Sequence, residues 1–162
     1  MMIAANRGRP NIAKLLIAAG ADVNARDGSA LQTWSVLHIA AAEEHTEVAE
    51  LLIENGADID VLTDPSLDTP LLLAAREGNK TMAELLISKG ADLTATDSGG
   101  LTVLHVIAQT DRIELAELPI SVGAEINAKD INLGFTPLDY AQDGEPAMIA
   151  LLEQHGGICT SC

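Results

Sequence analysis

One phrase recurs along this chain with small changes, and this recurrence constrains the fold more than any other feature of the sequence. The copies read KLLIAAGADVNARD at 14–27, ELLIENGADIDVLTD at 50–64, ELLISKGADLTATD at 84–97 and ELPISVGAEINAKD at 117–130. The glycine of the phrase recurs at spacings of 36, 34, 33 and 33 residues, at Gly20, Gly56, Gly90, Gly123 and Gly156. Such a period is typical of repeat architectures, in which each unit packs on its neighbours.

A second phrase lies between these copies and indicates a pair of short helices in each repeat. It reads SVLHIAA at 35–41, TPLLLAA at 69–75, TVLHVIA at 102–108 and TPLDYAQ at 136–142. The leading Ser or Thr can accept hydrogen bonds from the first free N–H groups of a helix, and proline suits the first helical position. A second helix follows and ends at the glycine, which adopts a positive φ without a Cβ penalty. The chain has only three aromatic residues, so its core must be aliphatic, which favours close-packed helices.

With a period near 33 and the phrases T-P-L-H-x-A and G-A-D-V-N-A, the chain resembles the ankyrin repeat family. The resemblance implies an all-α repeat solenoid of stacked helix–turn–helix units with short β-hairpin or loop fingers. It covers residues 1–158 as a single domain of about five repeats, followed by a C-terminal tail at 159–162. The approximate repeat bounds are 1–34, 35–68, 69–101, 102–135 and 136–158. The incomplete first repeat suggests either a trimmed chain or an improvised cap.

The fourth repeat departs most from the pattern. Pro119 stands in its second helix where other copies have leucine, and a proline there costs about 3 kcal/mol if nothing relieves it. Val103, Ile107 and Asp111 also replace the usual proline, alanine and glycine. We therefore expect residues 102–122 to be the least stable part of the stack, with the earliest amide exchange.

The sequence contains few residues in patterns that indicate catalysis or metal binding. It contains no G-x-S-x-G, H-E-x-x-H or phosphate-binding glycine loop. The resemblance implies that His38 and His105 hydrogen-bond within and between repeats. The adjacent Glu44 and His45 are a weak acid–base pair, and DIDVLTD at 58–64 does not fit an EF-hand. CTSC at 159–162 lacks the second pair that a zinc site needs, and we expect a frayed tail. We therefore predict no enzymatic activity, no metal and no cofactor.

Charge limits the class of partner. The chain has 24 Asp and Glu residues against 9 Lys and Arg, a net charge of −15, which disfavours nucleic acid and anionic membranes. Residues 43–68 carry nine carboxylates and no Lys or Arg, whereas residues 1–33 are mildly basic. The acidic stretch is either a solvated face or a docking site for a basic partner. No apolar run approaches the roughly 18 residues of a membrane span, and the start lacks a signal-peptide pattern. We therefore expect a cytoplasmic protein.

In ankyrin proteins, partners generally bind the concave surface formed by the finger tips and the first helices. The resemblance places this surface on three sets of positions. The residues just before the capping Ser or Thr are Trp34, Asp68, Leu101 and Phe135. The finger tips are Arg26, Leu62, Thr96 and Lys129, and the ends of the first helices contribute Glu43, Arg76, Glu77, Gln109 and Thr110. The two aromatic residues either anchor a partner or merely cover the fingers. The longer finger around GSALQTW at 28–34 is a further candidate recognition loop.

These patterns predict a non-enzymatic protein–protein interaction module that acts as a scaffold, adaptor or inhibitor. Its partner is expected to be another protein or a peptide with apolar groups and a basic patch, and a monomer is the favoured oligomeric state. Two alternatives stay open. In the first, the chain is a regulatory array of a larger enzyme or effector whose catalytic part is missing. In the second, it is a structural unit that self-associates through its N-terminal end.

Overall fold

The computed structural model describes residues 1–28, 33–142 and 144–161. These residues form ten α-helices and no sheet, with isolated bridges only between Arg26 and Ser35 and between Thr33 and Asp64. The helices are α1 Met2–Asn6, α2 Pro10–Ala18, α3 Val36–Ala42, α4 Thr46–Glu54, α5 Pro70–Glu77, α6 Lys80–Ser88, α7 Val103–Gln109, α8 Ile113–Ser121, α9 Pro137–Ala141 and α10 Pro146–Gln154. The predicted all-α repeat class is confirmed. The chain divides into two compact units, Met1–Ala91 and Asp92–Cys162.

The N-terminal unit consists of three helix pairs. The first helices of the pairs, α1, α3 and α5, pack in one row, and the second helices, α2, α4 and α6, pack in another. Ala5, Ala40 and Ala74 are fully buried, and their small side chains let the first helices approach closely. Leu52 on α4 and Leu86 on α6 are also fully buried. Each fully buried leucine stabilises the fold by about 1.5–3 kcal/mol.

The C-terminal unit repeats this arrangement with α7 and α8 followed by α9 and α10, and α7 packs against α9. Its core includes Leu104, Ile107 and Leu152. Helix α8 continues through Pro119, which is buried. The expected penalty at this proline therefore does not break the helix, and the lower stability of residues 102–122 stays a prediction.

The predicted helix boundaries have the expected chemistry. The side chains of Ser35, Thr69 and Thr136 accept hydrogen bonds from the backbone N–H three residues further on. The five glycines that end the second helices all have φ between +82° and +94°. The first helices end less regularly: Gly78 is left-handed after α5, but Glu44 and Asp111 adopt φ of +55° at the corresponding places. These two side chains occupy a conformation that normally favours glycine.

The described residues of the C-terminal tail, 159–161, are held by hydrogen bonds, so the expectation of a frayed tail is wrong for them. The backbone N–H groups of Thr160 and Ser161 both donate to Oδ1 of Asp139 at 2.8 Å. Ile158 donates its N–H to the side chain of Asn127, whose amide donates in turn to the carbonyl of Gly156. Asn24 makes the same two bonds to Asp58 and Gly56. The tail is therefore held in the same way as the finger that begins at Gly56.

In the part of the chain that the structure describes, no helix combines the length and the apolar character needed to cross a membrane. The longer finger predicted at 28–34 lies mostly outside the described residues, which include only Gly28, Thr33 and Trp34 from it.

Candidate partner-binding surface

The first finger of the N-terminal unit is tied to the next finger by its own side chains. Nη2 of Arg26 donates to the carbonyl of Leu62 at 2.7 Å, and Thr33 donates its N–H to the carbonyl of Asp64 at 3.0 Å. Trp34 is half-buried, and its backbone N–H donates to Asp27 at 2.7 Å. Arg26 remains exposed while it makes this bond. The structure therefore brings Arg26 and Leu62 together and fixes the backbone beside Trp34.

The second finger presents two leucines on a closed turn. Thr63 donates its N–H to the carbonyl of Asp68, and Asp68 donates its N–H to the hydroxyl of Thr63, each at 2.9 Å. Within this turn Leu67 adopts a φ of +58°. The side chains of Leu62 and Leu67 are 40% and 41% exposed. Leu67 was not recognised in the sequence because its exposure depends on the shape of the turn.

Asp68 is buried, although the repeat pattern placed it on the surface. Its side chain is only 7% exposed, and Oδ1 lies 2.8 Å from Nη2 of Arg76, whose side chain is half-buried. Arg76 supplies both a cation and a hydrogen bond to this buried carboxylate. The pair ties the last turn of α5 to the residue that precedes the helix, so Asp68 does not belong to an accessible surface. Glu43 and Glu77, which lie at the ends of α3 and α5, are exposed.

Leu101 is also buried, so its predicted exposure is wrong. It is only 8% exposed, and its backbone N–H donates to Oδ1 of Asp97 at 3.0 Å. The same oxygen accepts from Gly99, which closes a turn that directs Leu101 inward. In this C-terminal unit Thr96, Gln109 and Lys129 are exposed, whereas Thr110 is half-buried and its hydroxyl donates to the carbonyl of Val106.

Phe135 belongs to an aromatic cluster in the C-terminal unit. Its ring meets that of Tyr140 edge to face, with centroids 6.2 Å apart, and Tyr140 meets His105 in the same way at 5.7 Å. Phe135 is half-buried. Burial and a 2.7 Å hydrogen bond to Asp130 raise the pKa of the Tyr140 hydroxyl to about 12. Phe135 is therefore held by the cluster and stays partly accessible to solvent.

The most exposed apolar side chains of this finger are residues that the repeat pattern did not identify. Ile131 is 73% exposed and Leu133 is 64% exposed. Oδ1 of Asp130 accepts the N–H groups of Asn132, Leu133 and Gly134 at 2.7–3.2 Å, which fixes the turn between them. Burial of Asp130 opposes its ionisation, but these bonds and that from Tyr140 hold its pKa below the ordinary value. The stretch INLGF at 131–135, in which Ile131 and Leu133 precede the predicted Phe135, was the available signal.

His38 and His105 join neighbouring repeats through hydrogen bonds. Nδ1 of His38 accepts the N–H of Ser35 at 3.1 Å, so Nε2 carries the proton and donates to the carbonyl of Asp68 at 2.9 Å. His105 makes the matching bonds to Thr102 and Phe135. Both rings are buried, and desolvation lowers the pKa of each below its ordinary value. These bonds within and between repeats are those that the resemblance implied.

Among the described residues, no group of three or more His, Cys, Asp or Glu side chains is arranged to hold a metal ion. The exposed members of the predicted surface offer apolar, charged and hydrogen-bonding side chains. In the N-terminal unit these are Arg26, Glu43, Leu62 and Glu77, with Trp34 and Arg76 half-buried. In the C-terminal unit they are Thr96, Gln109 and Lys129, with Thr110 and Phe135 half-buried.

Comparison with known proteins bears on the same repeats. A family model described as ankyrin repeats, three copies, matches residues 1–97, which is more than half of the chain. No curated protein matches the chain. The helix order seen in the matched residues continues in α7 to α10 beyond them.

Proposed function

The chain belongs to the ankyrin repeat family, whose repeats generally mediate protein–protein interaction, and we propose that it is a non-enzymatic interaction module of the scaffold, adaptor or inhibitor type. The protein would act by binding a partner with its fixed fingers and so covering part of the partner's surface. Ankyrin repeats are typically non-catalytic. Histidine is the residue most able to transfer protons near neutral pH, and two of the four histidines, His38 and His105, are used here in bonds between repeats.

The observation that carries this proposal is the pair of exposed apolar side chains on the Asp130 turn. Ile131 and Leu133 are 73% and 64% exposed, although burying either would be favourable by about 1.5–3 kcal/mol. Their backbone is already fixed by the Asp130 carboxylate, so little conformational entropy is lost when a partner covers them. Fixed, protruding apolar groups of this kind suit the centre of a protein interface.

The N-terminal unit contributes a second recognition element. Leu62 and Leu67 protrude from the turn closed by Thr63 and Asp68, beside the Arg26 side chain that holds it. Trp34 offers a half-buried aromatic ring on the preceding finger. The exposed carboxylates of Glu43 and Glu77 add negative charge at the ends of the first helices.

The partner that fits these features is a protein or peptide with apolar groups and a basic patch. Apolar groups would cover the protruding leucines and isoleucine, and cations would meet the chain's excess of carboxylates, 24 against 9 Lys and Arg. Nucleic acid is disfavoured, because a phosphate backbone would be repelled by the same charge.

The test is a measured affinity for a partner identified by affinity capture and then purified. The double variant Ile131→Asp with Leu133→Asp is expected to raise Kd at least about tenfold, because it places charges where apolar contact is needed. Val122→Asp is the matched control, since Val122 is 53% exposed in the same unit but lies at the end of α8. An unchanged Kd for the double variant, with an unchanged melting temperature, would contradict the proposal.

A further inference from the structure

Leu67 departs from a conformational rule that two other fingers keep. It stands two residues before the capping Thr69, where the fingers of the C-terminal unit have Gly100 and Gly134. Those glycines have φ of +79° and +70°, and Leu67 has a φ of +58°. A left-handed φ is unfavourable for a residue with a Cβ, and among such residues asparagine and aspartate tolerate it best. The second finger, residues 58–68, therefore holds a leucine where the repeat favours glycine.

Buried hydrogen bonds keep the leucine in this conformation. Leu67 donates its N–H to the carbonyl of Thr63 at 3.2 Å, and Thr63 is 1% exposed. Leu67 itself is 41% exposed, beside the similarly exposed Leu62. A glycine would avoid both the backbone strain and the exposed apolar area. Because strain that neighbouring bonds enforce is concentrated at functional sites, the two leucines are candidates for contact with a partner.

In sequence, an exposed carboxylate lies between these leucines. Asp64 is exposed, and within the described ranges of the chain its side chain has no ion-pair or hydrogen-bond partner. Residues 58–68 contain four Asp and no Lys or Arg. Of these carboxylates, Asp68 is buried and paired with Arg76, whereas that of Asp64 faces solvent. The finger therefore presents negative charge next to apolar side chains.

We propose that the second finger binds a basic segment of a partner protein, in which a Lys or Arg lies between apolar side chains. This inference rests on the proposed function and assigns a partner chemistry to one finger. The cation meets Asp64, and the apolar side chains cover Leu62 and Leu67. Arg26 opposes a cation, but its guanidinium donates to the carbonyl of Leu62, and the carboxylates of residues 58–68 outnumber it. An acidic segment is disfavoured by the same carboxylates.

Selection of peptides on the full chain tests the partner chemistry. The probe is a displayed library of short random linear peptides. Enriched peptides are expected to carry a Lys or Arg flanked by apolar residues, and their Kd is expected to rise as salt is added, because salt screens the contact with Asp64. Enrichment of acidic peptides, enrichment of apolar peptides without a cation, or no enrichment at all overturns the inference.

Variants of the finger locate the contact, with the tightest selected peptide as the ligand. Leu67→Asn is expected to raise Kd at least about tenfold, because asparagine tolerates the positive φ but removes the apolar contact. Leu62→Ser is the second apolar variant and decides the matter if Leu67→Asn lowers the melting temperature. Asp64→Asn is expected to raise Kd about threefold, as befits a solvent-exposed ion pair.

Two matched controls separate the finger from general effects. Glu44→Asn places asparagine at another residue with positive φ, +55°, which follows α3. Glu153→Gln removes one exposed carboxylate from α10. Both should leave Kd unchanged. If Glu44→Asn weakens binding as much as Leu67→Asn, or Glu153→Gln as much as Asp64→Asn, the contact is not on the second finger and the inference is wrong.

The same variants distinguish a failure of this inference from a failure of the proposed function. A captured protein partner can depend on Ile131 and Leu133 and be indifferent to Leu62→Ser, Leu67→Asn and Asp64→Asn. That result supports the proposed function and overturns the assignment of the second finger. A selected peptide whose Kd rises with Leu67→Asn or Leu62→Ser and with Asp64→Asn, but not with either control, supports the assignment whatever the captured partner shows.

Discussion

Nε2 of His38 donates a hydrogen bond to the backbone carbonyl of Asp68, 2.9 Å away and thirty residues further along the chain. The bond joins the start of one helix pair to the residue just before the next, since Thr69 caps α5. Because Nδ1 of the same ring accepts the N–H of Ser35, the arrangement requires a neutral imidazole. A second proton on this ring would remove an acceptor inside the core.

The neutral histidines make stability depend on pH. Burial lowers the pKa of His38 and His105 below the ordinary 6.5, so below that pH the unfolded chain binds more protons than the folded one. The stabilisation that depends on the two neutral histidines should therefore be complete above about pH 6.5. Below that pH the free energy of unfolding should fall as the pH drops toward the lowered pKa values. Urea unfolding measured from about pH 7.5 to about pH 5 checks this. His38→Gln should flatten the slope, and equal slopes in the variant and the wild-type protein would contradict the assignment.

Asp139→Asn should release the tail. The carboxylate accepts from the backbone and hydroxyl groups of Thr160 and Ser161, and the loss of its charge weakens all four bonds, with an expected destabilisation of about 3 kcal/mol. Burial opposes ionisation of Asp139, but its hydrogen bonds hold the pKa far below the ordinary 3.8. The stabilisation is therefore present above about pH 4 and lost below it, separate from the histidine effect. Amide exchange at residues 160 and 161 should quicken in the variant; unchanged protection there would refute the role of the carboxylate.

Glu44→Gly should stabilise the protein. Glu44 has a φ of +55° after α3, where a side chain costs about 1–2 kcal/mol, and the larger backbone entropy of glycine offsets part of this gain. We expect a net increase of about 0.5–1 kcal/mol in the free energy of unfolding. Glu43→Gly is the matched control, since Glu43 loses the same charge but has a φ of −89°. Chemical denaturation should show opposite signs for the two variants, and equal effects would mean that charge rather than backbone conformation is responsible.

Pro119→Leu should stabilise the C-terminal unit. Pro119 has no N–H to donate to the carbonyl of Leu115, and leucine occupies its place in three other copies. The substitution restores one helical hydrogen bond and is expected to add about 1–3 kcal/mol. Amide exchange of the wild-type protein should be earliest in residues 102–122 and should slow there in the variant. Uniform protection along the chain would contradict this prediction.

The repeat fold could be predicted from the sequence because its signals are local. Capping by Thr69 and the positive φ of Gly56 follow from the residues themselves and were confirmed. The exposure of the residue before each cap could not be predicted in this way. Leu101 turns inward because Asp97 accepts two N–H groups of its loop, and Asp68 is buried because Arg76 reaches it.

The finger tips were the least predictable part of the candidate surface. Ile131 and Leu133 protrude because one carboxylate, Asp130, holds three successive N–H groups, and no repeat pattern encodes that bond. The tail was misjudged for a related reason. Asp139 replaces the histidine of the repeat phrase, and a carboxylate at that place needs donors, which Thr160 and Ser161 supply.

The side-chain amide of Asn24 affects how the N-terminal unit unfolds locally. This side chain accepts the N–H of Asp58 and donates to the carbonyl of Gly56, so it completes the hydrogen bonding of the finger that follows its own. If the first repeat opens, two backbone groups of its neighbour lose their partners at the same moment. Fluctuations should therefore involve blocks larger than one repeat, and a denaturation curve should report cooperativity between repeats rather than independent melting of each.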